Sequence, residues 1–334
     1  MVTYLKVHIS ILCLLILLLL WSLETKIFEN QYQVINKIGY LYDNTPIPNN
    51  YDALFVDPDP PECPTNLITA RTKGRLGNIM GEYASVWGIG RTHRRAPVIP
   101  KDMEVTLSKY FKHLTLPVLV HKSYPSNCKL NIKGHWGNYD NGNIMILDFE
   151  FVLKAFAPYK SEIIREFQFK DEIVAEAQGI INEAANGYQN NCTYVSVHVR
   201  RTDYGDWLKD HVNGHLVTPR YFYKAMKEMQ SKFSNVLFII ISDDMPWCEK
   251  NIKFPDFNIA FLGNNNITNP IIDLAIISLT NHSILTHGTF GFWGAYLSNG
   301  DVIQPKGFSK NLPYPQSSVK DAHLRGWTMI ADDG

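Results

Sequence analysis

From about residue 190 onward, apolar and polar positions alternate in blocks of two kinds. Short apolar runs at 194–199 (YVSVHV), 236–241 (VLFIII), 257–261, 283–286 and 302–304 read as strands. Between them the apolar positions recur at helical spacing. One helix opens at Thr218-Pro219 and runs to Phe233, and a short one carries Pro246 in its first turn. Two more cover 270–279 and 290–298, the last stopped near Gly300. Strands separated by helices predict a parallel sheet covered on both faces. Ligands of such sheets bind outside the carboxyl ends of the strands, so the residues that follow each strand matter most.

The first half is less regular. A glycine-bearing turn, Arg71-Thr-Lys-Gly74-Arg75-Leu76-Gly77-Asn78, precedes Met80, Tyr83, Ala84 and Trp87 at helical spacing. Arg91-Thr-His93-Arg94-Arg95 closes that helix, either as cations complementing its carbonyl end or as an anion site. Another helical region runs from about 161 to 185 and is broken near Phe169. Residues 24–62 lack strong periodicity and end in Asp57-Pro58-Asp59-Pro60-Pro61, which reads as a stem. Asp57 and Asp59 have the spacing of a metal-binding carboxylate pair, but prolines flank them within a linker, and no metal is expected there.

Residues 7–23 (VHISILCLLILLLLWSL) are apolar, at the short limit of a membrane span. Ser22-Leu23-Glu24-Thr25 makes a poor cleavage site, which favours an uncleaved signal anchor over a removed signal. Lys6 and the amino terminus precede the span, while Glu24 and Lys26 cancel after it; the short end is expected in the cytosol and the body in the lumen. The organisation is then a tail (1–6), a span (7–23), a stem (24–62), an amino-terminal lobe (63–190) and a carboxyl-terminal lobe (191–334). Glycosylation acceptor triplets start at Asn191, Asn266 and Asn281, in keeping with a lumenal body. Beyond Cys13 in the span, Cys63, Cys128, Cys192 and Cys248 allow three pairings, and spacing does not choose among them.

Composition narrows the class. The chain has 334 residues, enough for about two domains. Its 45% hydrophobic and 19% charged residues exclude wholesale disorder. Lys+Arg and Asp+Glu are both 32, so the basic excess of a nucleic-acid binder is missing. The phosphate loop of ATPases, the usual dinucleotide fingerprint and the zinc-ligand spacings are also missing from the sequence.

The strand ends carry the chemistry. The run at 194–199 leads into His198-Val199-Arg200-Arg201-Thr202-Asp203-Tyr204. Alternation puts His198 and Arg200 on one face, opposite Val197 and Val199. Two arginines and a carboxylate suit a doubly charged anion, since a guanidinium binds phosphate bidentately and keeps its charge; the plain alternative is a structural ion pair. The next strand ends in Ser242-Asp243-Asp244, where an aspartate can cap the following helix or accept from a purine's imino and amino groups. Thr286-His287-Gly288-Thr289-Phe290-Gly291 places small residues before a helix, so that backbone N–H groups and Thr289 can face a phosphate.

Four blocks, in order, resemble the motifs of the α1,2-fucosyltransferases, glycosyltransferase family 11. They are Gly74-Arg-Leu-Gly-Asn78-Ile-Met-Gly-Glu-Tyr83, His198-Val-Arg-Arg-Thr-Asp-Tyr204, Ser242-Asp-Asp-Met-Pro-Trp-Cys248 and Thr286-His-Gly-Thr-Phe-Gly-Phe-Trp-Gly-Ala-Tyr-Leu297. The resemblance implies a Golgi type II membrane enzyme of GT-B-like α/β architecture, with two Rossmann-like lobes, 63–190 on the acceptor side and 191–334 binding the donor. It implies GDP-L-fucose as donor, a terminal galactose 2-hydroxyl as acceptor, inversion at the anomeric carbon and no metal or other cofactor. On the matching positions, donor binding falls to Arg75, His198, Arg200, Arg201, Ser242, Asp243, Asp244, Gly288, Thr289 and Phe290, and the catalytic centre to Asn78 and Asp203. Glu82 is a second candidate carboxylate, with solvent exposure on its helix as the alternative. The family usually has Gly where this chain has Thr202 and Gln where it has Ile79, and His287 takes an often apolar position. Its aromatic segment is only loosely echoed by Gly134-His135-Trp136-Gly137-Asn138-Tyr139. A membrane-anchored carbohydrate-binding protein without turnover, and a fucosyltransferase of different linkage, are the competing readings.

Overall fold

The structure is a computed structural model, and it describes residues 65–119, 130–133, 139, 142–146, 149, 151–188, 191–262, 270–306 and 316–332. The described residues all lie within one compact unit, residues 59–334. The apolar segment 7–23, the stem, Cys63, Cys128, Asn266 and the aromatic stretch 134–138 lie outside the described residues. Among the described residues no helix is long and apolar enough to cross a membrane.

The first half opens with β1 (Leu67–Ala70), which leads into α1 (Leu76–His93), then β2 (Ala96–Pro97), β3 (Ile99–Pro100) and α2 (Lys101–Leu107). It continues through β4 (Val118–Leu119), β5 (Asn131–Lys133), β6 (Ile144–Ile146), α3 (Leu153–Phe156), α4 (Lys160–Glu166) and α5 (Asp171–Ala185). Four of its strands pair in parallel in the order β2-β1-β6-β5. The break expected near Phe169 falls between α4 and α5. There Phe111 and Phe169 form an isolated antiparallel bridge.

The second half alternates as the pattern predicts. It comprises β7 (Thr193–Val199), α6 (Tyr204–Val212), α7 (Pro219–Lys232), β8 (Val236–Ser242), α8 (Met245–Asn251) and β9 (Asn258–Phe261). Then come α9 (Ile271–Leu279), β10 (His282–Leu285), α10 (Thr289–Ser298), β11 (Val302–Pro305), α11 (Gln316–Asp321) and β12 (Trp327–Ile330). Six strands pair in parallel in the order β12-β11-β10-β7-β8-β9. Three elements, α6, α11 and β12, are additions to the sequence-based outline. The chain winds from β7 out to β9 and then returns to lay β10 against the other side of β7. The crevice between the carboxyl ends of β7 and β10 is therefore the topological switch point, where ligands of such sheets bind. The small sheet has its own switch between β1 and β6.

One core joins the halves. Its buried side chains include Met80 and Tyr83 from α1, Leu237 and Ile239 from β8, and Phe292 and Trp293 from α10. Phe151 meets Phe292 edge-on at 4.8 Å, and Phe156 stacks on Trp293 at 5.6 Å. A buried carboxylate on α4, Glu166, fixes the far end of α1: it accepts from the Tyr83 hydroxyl, Trp87 Nε1 (3.1 Å) and the Thr115 amide (2.8 Å). The cations after α1 serve structure. Arg95 is buried and donates to the carbonyls of Tyr139, Leu67 and Gly142, while Arg91 lies over the Trp87 ring at 4.8 Å.

Candidate functional site

The ends of β7, β8 and β10 and the start of α1 meet at the large-sheet crevice. Parallel pairing puts Val199 beside Ser242 and His198 beside Leu285, which brings the three strand-end segments side by side. Arg200 is the centre of this group. Its side chain is only 16% exposed and contacts Asp243 and Asp203, and its Nη1 donates to Thr202 Oγ1 at 2.9 Å. Asp203 also takes Arg75 Nη2 at 2.9 Å, so one carboxylate bridges an arginine from each half of the chain. A guanidinium has five N–H donors, and three are engaged here. The other two have no partner among the described residues and suit an anion. Burial lowers the Arg200 pKa despite the carboxylates beside it.

Asp243 organises the turn. It accepts from the Arg201 amide at 2.8 Å and from the Thr202 hydroxyl. Thr202, a departure from the family pattern, is thus built into the arginine network. Ile79, a second departure, is a buried core position. Asp244 caps α8 by accepting from the Trp247 amide at 3.3 Å, so the capping alternative describes its resting contact. Its other oxygen lies 3.4 Å from Arg201 Nε, and the Arg201 guanidinium covers the Trp247 ring at 3.6 Å. The Arg201 side chain is therefore held against α8. Ser242 Oγ donates to the Val199 carbonyl at 2.8 Å and accepts from the Asp244 amide at 2.9 Å, locking β7 to the aspartate turn.

His198 is 5% exposed, and burial together with the Arg200 charge pushes its imidazole down to about 3. It is neutral at physiological pH. Its Nδ1 is buried without a hydrogen-bond partner among the described residues. The ring packs on Phe290 at 5.6 Å, and a Cβ at Gly291 would collide with it. His287, next to the Gly288 turn, is also buried and is pushed down to about 4 by desolvation and by His215.

Two helix N-termini meet here. Gly288 holds φ at +122°, a conformation for which glycine is suited, and α10 starts directly after it with no side-chain cap. Across the crevice, α1 starts after Arg75, again without a side-chain cap. Gly77 lets the two touch: a Cβ there would sit 2.7 Å from the Phe290 amide nitrogen and 2.8 Å from the Thr289 carbonyl carbon. Thr289 Oγ1 donates to Asn78 Oδ1 at 2.8 Å, and Trp293 Nε1 donates to the Gly77 carbonyl at 2.9 Å. Each terminus presents roughly half a positive charge to the same space.

Glu82 differs from the exposed carboxylate weighed from sequence. It is fully buried and accepts from the Lys73 amide at 3.1 Å and the Phe149 amide at 3.0 Å, which makes it a tie between two loops. Two residues escaped the sequence reading. Asp273, in the first turn of α9, has its carboxyl raised to about 6 by burial and makes no hydrogen bond among the described residues. Phe149 is exposed and left-handed, at φ +62°. Neither lies in a recognisable motif. Asn191 and Asn281 are exposed, and Asn281 Oδ1 accepts from the Tyr194 amide at 2.9 Å. Cys248 is a buried thiol pushed up to about 11 by desolvation. No group of three potential metal ligands occurs among the described residues.

The family model described as glycosyl transferase family 11 matches residues 51–331. The chain belongs to that family. Among curated relatives of this family 11 chain, mouse (Mus musculus) galactoside 2-alpha-L-fucosyltransferase Sec1 is 34% identical over 276 residues, covering 80% of this chain and 74% of the relative. Gorilla (Gorilla gorilla gorilla) galactoside alpha-(1,2)-fucosyltransferase 2 is 32% identical over 285 residues, covering 79% of each. A solved structure, a mutant of Arabidopsis thaliana FUT1 in complex with GDP, aligns with 86% of this chain and 80% of that one at 13% identity and a TM-score of 0.49. That likeness is too loose to carry an argument. The motifs that resembled family 11 thus sit in a chain that is a member of it.

Proposed function

We infer that this family 11 chain is a galactoside α1,2-fucosyltransferase. It transfers L-fucose from GDP-L-fucose, with inversion, to the 2-hydroxyl of a terminal galactose. The observation that carries the reading is the convergence at one crevice of Arg200, the Gly288–Thr289 turn and the α1 start, in a chain one-third identical to proteins named for this activity. Two parallel sheets, with the α1 start from one half meeting the β7 and β10 ends of the other at that crevice, fit a GT-B-like architecture.

The acceptor hydroxyl oxygen forms a bond to the anomeric carbon of fucose. The bond from that carbon to the β-phosphate oxygen breaks, its electrons stay on GDP, and the hydroxyl proton passes to solvent water. Charge therefore builds on the diphosphate as the transition state forms. Arg200, fixed by Asp203, Asp243 and Thr202, offers two preset donors, and the two helix N-termini add fixed dipoles. Such preorganised groups can stabilise a leaving anion without a metal. Neutral His198 adds a ring nitrogen without adding a cation. Asn78, whose oxygen already accepts from Thr289, keeps its Nδ2 hydrogens to orient an acceptor oxygen. Asp203 acts by holding both Arg75 and Arg200.

We also propose that residues 7–23 anchor the chain as a type II protein of the Golgi membrane, with the body lumenal and glycosylated at Asn191, Asn266 and Asn281. Carbonate-resistant membrane association, lost on deleting 1–23, tests the anchor. For the activity, the decisive assay is release of GDP from GDP-fucose by the purified chain, with and without a galactoside. Galactoside-dependent release with α1,2-linked product supports the reading. Donor binding without any release supports a carbohydrate-binding protein instead.

A further inference from the structure

Phe149 combines features that burial and folding alone leave unexplained. It is 52% exposed, one of only three large apolar side chains so exposed among the described residues. Its backbone sits at φ +62°, where a bulky residue is a genuine outlier. Such strain persists only where the surroundings over-determine it, and it concentrates at functional sites. The surroundings here are specific. Buried Glu82 accepts from the Phe149 amide with one oxygen and from the Lys73 amide with the other. This clamps together the loops that leave the carboxyl ends of β1 and β6, the two strands flanking the small sheet's switch point.

The clamp puts the ring against the reaction centre. A Cβ on Gly74 would lie 2.8 Å from Phe149 Cε1 and would also overlap Asn78 Nδ2. Gly74, itself at φ +78°, is thus the floor on which the ring and the Asn78 amide converge. The other end of that amide is tied to Thr289 across the crevice. The exposed Phe149 ring therefore neighbours the Asn78 amide nitrogen.

We propose that Phe149 is the platform on which the acceptor's terminal galactose stacks, setting its 2-hydroxyl toward Asn78. This rests on the transferase reading above. The chemistry fits the ring. The axial 4-hydroxyl of galactose leaves the C–H bonds at C3, C4 and C5 together on one apolar face, which an aromatic ring's negative face attracts. Asn78 Nδ2 supplies the polar contact that fixes orientation, the usual division between apolar lining and a few placed polar groups.

The test uses the full chain and four forms: wild type, Phe149→Ala, Phe149→Gly and Phe149→Trp. Phe149→Ala should raise KM for methyl β-galactoside about tenfold while KM for GDP-fucose and acceptor-free donor hydrolysis stay within about twofold. Phe149→Trp should recover most of the acceptor affinity. Phe149→Gly should melt above Phe149→Ala, because only glycine is at ease at this φ, yet be equally poor toward the galactoside. An unchanged acceptor KM in Phe149→Ala overturns the proposal. So does a matching loss of donor affinity, which would make the ring a fold support. If the wild type transfers nothing, the transferase reading fails by itself. Saturation-transfer NMR of methyl β-galactoside on the GDP-bound chain then decides the platform: ring-proton signals lost in Phe149→Ala uphold it, and signals that persist or never appear overturn it.

Discussion

Replacing Gly77 with alanine sets two effects against each other. Within an isolated helix alanine is favoured over glycine by up to about 1 kcal/mol. Against that, the new Cβ would stand 2.7 Å from the Phe290 nitrogen and 2.8 Å from both the Thr289 carbon and hydroxyl oxygen. Two of these are backbone atoms at the start of α10, which have no rotamer to escape into. Reaching ordinary contact needs about 0.7 Å of retreat, and overpacking of that kind costs about 1–3 kcal/mol. The same retreat stretches the Trp293–Gly77 and Thr289–Asn78 hydrogen bonds, each worth about 1 kcal/mol. The contact wins, for a net loss of about 2–3 kcal/mol. That lowers the melting temperature by roughly 4–10 °C in a unit of this size. Because the retreat opens the seam between the two helix N-termini, kcat/KM should fall by about 100-fold as well. Gly179 supplies the control. It lies on exposed α5 with nothing within 4 Å of a prospective Cβ, so Gly179→Ala should raise the melting temperature slightly and leave turnover alone. A Gly77→Ala protein that melts at or above wild type with unchanged GDP-fucose KM would refute the packing argument.

Other perturbations probe the same crevice. Arg200→Lys keeps the charge but cannot reach Thr202, Asp203 and Asp243 together, so kcat/KM for GDP-fucose should drop about 100-fold; wild-type kinetics would remove Arg200 from the site. His198 and His287 are held below the usual imidazole value, at about 3 and about 4, so below pH 6.5 the unfolded chain binds more protons than the folded one. Stability should therefore fall with acid between pH 6.5 and 4.5, by up to about 1.4 kcal/mol per pH unit for each imidazole. Urea midpoints should show this, His198→Gln should flatten the slope, and a slope identical in both proteins would count against it. Turnover should continue in EDTA; loss restored by manganese would show that Arg200 and the helix termini do not suffice.

Most of the second half was legible because its strands from β7 to β11 are apolar runs of four to seven residues, and Pro219, Pro246 and Pro270 mark three of the helix starts between them. The small sheet was not. Its strands are two to four residues long, β2 contains Pro97, and β5 is an exposed edge reading Asn-Ile-Lys. The motif residues read from the sequence lie close together, yet their division of labour depends on strand order. Only when β8 lies beside β7 does Asp243 become the partner of the Arg201 amide and the Thr202 hydroxyl. Glu82 shows the same limit. Its helix has little amphipathic contrast because it is buried over most of its circumference, so no period distinguishes its inward from its outward face.

The seam between α1 and α10 also constrains how the chain comes into being. The Gly77 carbonyl waits 216 residues for the Trp293 indole, and Asn78 waits 211 for Thr289. Helix α1 is buried around nearly all of its surface, and the core that covers it is completed by residues from β8, α9 and α10. During synthesis, then, the amino-terminal half emerges with its largest helix uncovered and its reaction-centre turn unbraced. Partners that distant in sequence make folding slow, and the exposed intermediate is the species that chaperones bind and that aggregates. Truncations ahead of α10 should accordingly yield insoluble chains, not half-active ones. A late-acting helix thus serves as the checkpoint for the whole catalytic body.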